Sequence, residues 1–119
     1  MNISKMMDAI KQHPGFEKVG MILCHNGIVR STSRDGRRVD GLSVSVDHRK
    51  LDRIVAEKRK SAGIIDIRVE IAENKTLSVG EDVMFLVVAG DIRENVIAVL
   101  QATLEAVKTT VTRKTEYFL

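Results

Sequence analysis

The sequence predicts an α+β fold: a mixed, mainly antiparallel sheet with two long helices packed on it and a short N-terminal helix. Three observations predict it. Apolar and polar residues alternate over residues 42–46 and 65–71, the period of a half-buried strand. Apolar residues recur at helical spacing over residues 51–55 and 92–107. Between them lies DVMFLVVAG, apolar without alternation, as expected of a central strand covered on both faces.

In chain order, Met6, Met7 and Ile10 share one face of a short helix that Pro14-Gly15 ends. Residues 19–33 read as strand, with Gly20 and Gly27 as points of bulge or close approach, and Asp35-Gly36 marks a turn. In VDGLSVSVD, Leu42, Val44 and Val46 face one way and Ser43 and Ser45 the other. Asp47 then caps a helix that Gly63 stops, with Leu51, Ile54 and Val55 as its apolar stripe and a solvated face rich in lysine and arginine. In the next strand Ile65, Ile67, Val69 and Ile71 point inward, and Asp66, Arg68 and Glu70 point to solvent. NKTLSVGED is a connection with a short strand, and the central strand follows. Asp91 is placed to cap the last helix, which runs from Ile92 to about Lys108. The β-branched segment TTVTRKTEYF closes the chain as a strand.

Composition narrows the classes of function. A chain of 119 residues, 44% hydrophobic and 29% charged, fits a single domain over residues 1–119 that can bury a core without staples. Aromatics are 3% and Trp is absent, so that core is built from Val, Ile, Leu and Met. One cysteine, Cys24, forms no internal disulfide, and His13, His25 and His48 are too scattered in sequence for a local metal motif. The net charge is +3 and the pI about 9.2, a balance that suits an anionic small molecule or an acidic protein partner. Without an aromatic-interleaved basic motif, nucleic acid is not the expected partner. No apolar stretch approaches the roughly 18 residues of a membrane span. No secretory leader is legible in MNISKMMDAIKQHPGF, so a cytoplasmic protein is expected.

The sequence contains no Gly-rich phosphate loop, paired cysteines or nucleophile-elbow serine. The candidates that remain are cations at structural junctions. Arg30 ends a strand just before the Ser/Thr/Arg-rich residues 31–38, and Arg93 stands in the first turn of the last helix, where free N–H groups and a guanidinium make an anion site. Lys108 lies in the last turn, where the helix dipole favours a cation, about 22 Å from Arg93 at about 1.5 Å per residue. Lys114 follows in the closing strand. Residue physics alone favours an ordinary surface role for each. If both lysines face one pocket, two ammonium groups about 6 Å apart at an effective dielectric of about 20 repel by roughly 2.8 kcal/mol. Such a pair supplies one neutral amine and one retained cation. Six extended residues would hold the two about 20 Å apart, so the chain must turn within residues 109–113, or the two come from different subunits.

These features occur together in a pattern of known order. GIVRSTSRDGRRVDGLSVSVDHRKLDRIVAEKRK, followed by LSVGEDVMFLVVAGDIRENVIAVLQATLEAVKTTVTRKTE, resembles the large, catalytic subunit of molybdopterin synthase over roughly residues 19–118. The carrying pieces are Gly-x-Val-Arg ending at Arg30, the Val79-Gly80-Glu81 turn, the helix from near Arg93, and Lys108 followed by Lys114-Thr-Glu116. The resemblance implies an α/β hammerhead fold and a homodimer flanked by two small ubiquitin-like sulfur carriers, together a heterotetramer. It implies that the carrier's C-terminal Gly-Gly thiocarboxylate enters a pocket and that sulfur passes twice to cyclic pyranopterin monophosphate, making the molybdopterin dithiolene. No metal or cofactor is implied. Lys108 would lie beside the glycine tail, Lys114 would act on the pterin, and Arg30 and Arg93 would hold the anionic substrate. The chain has Ile92-Arg93 where the family commonly has His-Arg, and Arg113 where it has tryptophan. Its stretch between the lysines is one residue shorter. If the shortening falls in the turn, Lys114 keeps its facing; if it falls in the strand, the facing inverts. The competing expectations are a diverged, non-catalytic relative that keeps the dimer and the carrier groove, and a small-ligand-binding α/β domain.

Overall fold

The computed structural model describes residues 1–119. Helix α1 is Ile3–Lys11, and a short 3-10 turn at Phe16–Lys18 leads into β1, Met21–Ile28. Strand β2 is Val39–Val46, helix α2 His48–Arg59, and β3 Ile64–Ile71. Then come β4, Leu77–Ser78, β5, Asp82–Gly90, and helix α3, Arg93–Ala106. A wide π-helical turn, Val107–Val111, joins α3 to the last strand β6, Thr112–Phe118. The expected α+β class is what folds, and its strands sort into two three-stranded sheets, ordered β1-β5-β3 and β4-β2-β6. Every strand pair is antiparallel. No helix is long and apolar enough to cross a membrane.

Strand β5 explains its own sequence. Met84, Leu86 and Val88 point into a core with Leu51 and Val55 of α2 and Val96 of α3. Phe85, Val87 and Ala89 point the other way, against Met6 and Ile10 of α1. Helices cover both faces of this sheet, so a run of apolar residues with no alternation is what the middle strand requires. The second sheet packs its own smaller cluster, in which Leu42 and Val44 of β2 meet Val29, Ala72 and Leu77.

Two local expectations are corrected. Asp66, read as solvent-facing, is 4% exposed. Asp66 lies opposite Ala89, on the face of the sheet that packs against α1, so its side of β3 is covered rather than solvated. There it receives the Ile67 N–H at 2.9 Å, Arg68 Nε at 3.0 Å and Arg59 Nε at 3.3 Å. The Arg59 guanidinium also donates to the Ile67 carbonyl at 2.7 Å, so the charged end of α2 is tied to β3. The second correction concerns the start of α3, where Ile92, not Asp91, occupies the cap position and makes no side-chain bond. Asp91 stands one residue earlier and accepts the Ile92 N–H at 2.6 Å and the Asn95 amide at 2.9 Å. These bonds, the Asn95 one foremost, hold its carboxyl below the ordinary range. Asp47 is the N-cap of α2 as expected, accepting the Lys50 N–H at 3.1 Å.

Candidate functional site

The end of α3 is built from residues that are poor in a helix interior and well suited to closing one. Thr109 Oγ1 donates to the Glu105 carbonyl at 2.9 Å and Thr110 Oγ1 to the Ala106 carbonyl at 2.6 Å. The threonine hydroxyls thus fold back onto main-chain carbonyls of the preceding turn, a bond that bends and loosens a helix at its end. Val107 and Val111 anchor the turn in the main core, at 0% and 3% exposure. The Asp47 N–H donates to the Val111 carbonyl at 2.9 Å, fastening the turn to the start of α2. Pinned on both sides, the turn delivers Lys108 to the mouth of the gap between the sheets.

Strand β6 is oriented by its partner. Thr112 lies opposite Val46, Lys114 opposite Val44 and Glu116 opposite Leu42. Residues directly opposite in an antiparallel pair share a face. Lys114 therefore stands on the buried, apolar face of β2, and Arg113 and Thr115 on the other. Lys108 and Lys114 meet in one cleft of about 300 Å³, floored by apolar residues that include Leu42, Val44, Val83 and Met84. The chain turns within residues 109–113, and both lysines come from the same protomer. Lys114 lies 3.8 Å from Glu116. Lys108 makes no ion pair.

Two residues of the cleft went unmarked in the sequence. Arg34 adds a third cation from the loop after β1. That loop is shaped internally: the Ser33 hydroxyl bonds the Asp35 carboxylate, the Ser33 N–H donates to the Arg37 carbonyl at 2.9 Å, and Thr32 bridges Arg38. The Ser33 bond, with the Arg37 N–H, keeps the Asp35 carboxyl below its usual range. Arg37 lies 3.6 Å above the Phe118 ring, which moors the loop to the end of β6. The Ser/Thr/Arg-rich run was the visible signal. His25 of β1 is the other addition. Burial first, and then the neighbouring Lys108 charge, push its imidazole below the ordinary value, so the ring is neutral at neutral pH. Nothing in the spacing of the histidines announced this.

The predicted arginines are not brought to the lysines within one chain. Arg30 is exposed just past β1 and does not line the cleft. Arg93 begins α3, at the end away from Lys108, with its side chain 79% exposed and 3.4 Å from Glu94. At about 1.5 Å per residue, the fifteen positions between it and Lys108 span about 22 Å. Cys24 is exposed on β1 beside Met7, and the partial burial of its thiol raises it above the ordinary value. No three His, Cys, Asp or Glu side chains gather as a metal-ligand set. Chemically, the cleft is an apolar slot rimmed by Lys108, Lys114 and Arg34. It suits an anionic ligand with a flat or narrow apolar body, and it offers amines that can stabilise charge or move protons.

Comparison with known proteins gives the family. A family model described as "MoaE protein" matches residues 1–110. Among solved structures, molybdopterin cofactor biosynthesis protein E from Burkholderia multivorans is 20% identical, with a TM-score of 0.77 over 100% of this chain and 84% of that one. Molybdopterin synthase from Staphylococcus aureus is 20% identical, with a TM-score of 0.74 over 87% of this chain and 77% of that one. A protein–protein complex of subunits 1 and 2 of molybdopterin-converting factor from Helicobacter pylori matches at 15% identity and a TM-score of 0.72, over 99% and 84%. At such identities these likenesses establish the fold. Comparison with curated protein sequences gives no match.

Proposed function

Because the chain belongs to the MoaE protein family, a family of molybdenum cofactor biosynthesis, we propose that it is the catalytic subunit of a molybdopterin synthase. The observation that carries this reading is that Lys108 and Lys114 line one cleft of one protomer. In this reading a ubiquitin-like carrier inserts its C-terminal Gly-Gly, ending in a thiocarboxylate. The carrier sulfur forms a C–S bond to a side-chain carbon of cyclic pyranopterin monophosphate as a C–O bond at that carbon breaks, its oxygen leaving on the phosphate or, once protonated, as water. Water then cleaves the carrier's acyl–sulfur bond, leaving sulfur on the pterin and an ordinary carboxylate on the carrier. A second round completes the dithiolene. The Lys108 ammonium lies beside the tail, where it stabilises the thiocarboxylate and the oxyanion formed as water adds. Lys114 serves the pterin as acid, base or charge stabiliser.

The two arginines fit this reading through a homodimer. Arg93 is too far from Lys108 to share its cleft within one chain, so it would reach the phosphate-bearing substrate only from a second copy. Arg30 would act at the rim. With a carrier on each protomer the assembly is a heterotetramer, and the Helicobacter pylori neighbour, a complex of subunits 1 and 2, supports a partner of this kind. We take residues 1–119 to act as a single domain. The rival reading, a relative that binds the carrier without transferring sulfur, is favoured by one observation: Ile92, at the position where a family histidine is expected, is 54% exposed and apolar. Reconstitution with thiocarboxylated carrier and pyranopterin substrate separates the two. Product is expected with the wild type and is lost in Lys108→Ala and strongly reduced in Lys114→Ala. No product from a wild-type chain that binds carrier would establish the rival, and unimpaired variants would remove the lysine assignment.

A further inference from the structure

His25 carries an unmet bond at the wall of the cleft. Its Nε2 is closed off from solvent and has no hydrogen-bond partner, the only buried side-chain nitrogen or oxygen in that state. Buried polar groups in folded proteins are almost always paired, so an orphan of this kind calls for a specific explanation. No acceptor meets it in hydrogen-bond geometry. Gly27, two positions along β1, has no side chain, and a Cβ there would stand 3.4 Å from Nε2. Met84, paired with Gly27 across the sheet, is apolar. Lys108, the cation that faces the ring, has only donors to give. The ring itself lines the cleft together with Lys108 and with Gly27, the residue beside Nε2, so the unpaired nitrogen lies at the wall of the ligand space.

We propose that His25 is a third ligand-contacting residue of the cleft, its Nε2–H donating to the terminal thiocarboxylate of the carrier tail beside Lys108. The inference rests on the function proposed above and names how that site holds its sulfur donor. A neutral imidazole suits the task. It donates to an anion already held by Lys108, and it adds no further full charge to a cleft that carries three cations. Nε2 sits beside Gly27, itself a lining residue of the cleft, where a Cβ would stand 3.4 Å from it.

The test uses the full chain and a Gly-Gly-terminated ubiquitin-like carrier, both thiocarboxylated and as the plain carboxylate. Ring-15N-labelled histidine is followed by NMR as carrier is added, and affinities are measured for His25→Phe and His25→Gln alongside thermal unfolding. The His25 ring resonances should move on saturation. His25→Phe should bind about tenfold more weakly, the loss of one charge-assisted hydrogen bond, and His25→Gln, which retains a donor, within about threefold of wild type. A ring that does not respond at saturation, or a folded His25→Phe that binds like the wild type, overturns the assignment. If His25→Phe does not fold, the ring titration of the wild type decides alone. A wild type that binds no carrier removes the proposed function and this contact together. Sulfur transfer with a silent His25 ring removes only the contact.

Discussion

The facing of Lys114 can be tested against that of its neighbour. Lys114 shares the face of Val44 and lines the cleft, whereas Arg113 pairs with Ser45 and points to the other side of the sheet. Both are cations one residue apart, so composition and net charge cannot distinguish their removal. The thiocarboxylate held beside Lys108 shares the cleft with Lys114 and, at about 5 Å and an effective dielectric of about 20, also attracts it by about 3 kcal/mol. The Lys114 side chain is 55% exposed and has Glu116 at 3.8 Å. Solvent screening and that competing carboxylate cut the figure by about half, to about 1–2 kcal/mol. Lys114→Ala should therefore weaken carrier binding roughly 5- to 30-fold. Arg113→Ala acts across the sheet at about a Debye length and should cost less than about twofold at physiological salt. Isothermal titration calorimetry with thiocarboxylated carrier, at low and at high salt, measures both. The difference between the variants should shrink as salt rises. An Arg113→Ala loss equal to or larger than that of Lys114→Ala would refute the register and, with it, the two-lysine cleft.

Three further outcomes follow from the fold. Asp66→Ala should destabilise the protein by about 2 kcal/mol in urea unfolding, because the buried carboxylate holds Arg59, Arg68 and the Ile67 N–H while both arginines are partly solvated; a change under about 0.5 kcal/mol would return Asp66 to the surface. Gly63→Ala should cost about 1–3 kcal/mol, since φ is +76° there and an added Cβ would overlap the Asp91 carboxylate and the Asn95 amide; a neutral or stabilising result would contradict that packing. For His25, the folded protein holds the imidazole below its ordinary 6.5. On acidification the unfolded chain therefore takes up the proton first, and stability is full above about pH 6.5 and falls as pH drops below it. His25→Phe should flatten that part of a stability–pH curve, and an unchanged slope would place the titration elsewhere.

Much of the architecture is legible in short stretches because it rests on local chemistry. The alternation of Leu42, Val44 and Val46 defines β2, Asp47 caps α2, Gly63 ends its exit, and the unbroken apolar run of β5 announces a strand covered twice. Lys108 is likewise placed by local rules, at the dipole-favoured end of a long helix. Asp66 shows where local reading stops. Its position in an alternating strand says solvent, yet it shares the face of Ala89 that α1 covers, and that cover comes from a helix more than fifty residues away.

The cleft belongs to this second class. The sequence by itself determined the element order, the two lysines and the requirement that the chain turn between them. Tertiary structure alone decided that they share one cleft, because facing in β6 is set by its pairing with β2, nearly seventy residues earlier, and by the anchoring of Val107 and Val111 in the core. It also decided that His25 and Arg34 join them, and that Arg30 and Arg93 stay outside within a single protomer. A side chain's direction in a strand inverts with a slip of one residue. Residue type and spacing carry the chemistry, and the non-local register carries its aim.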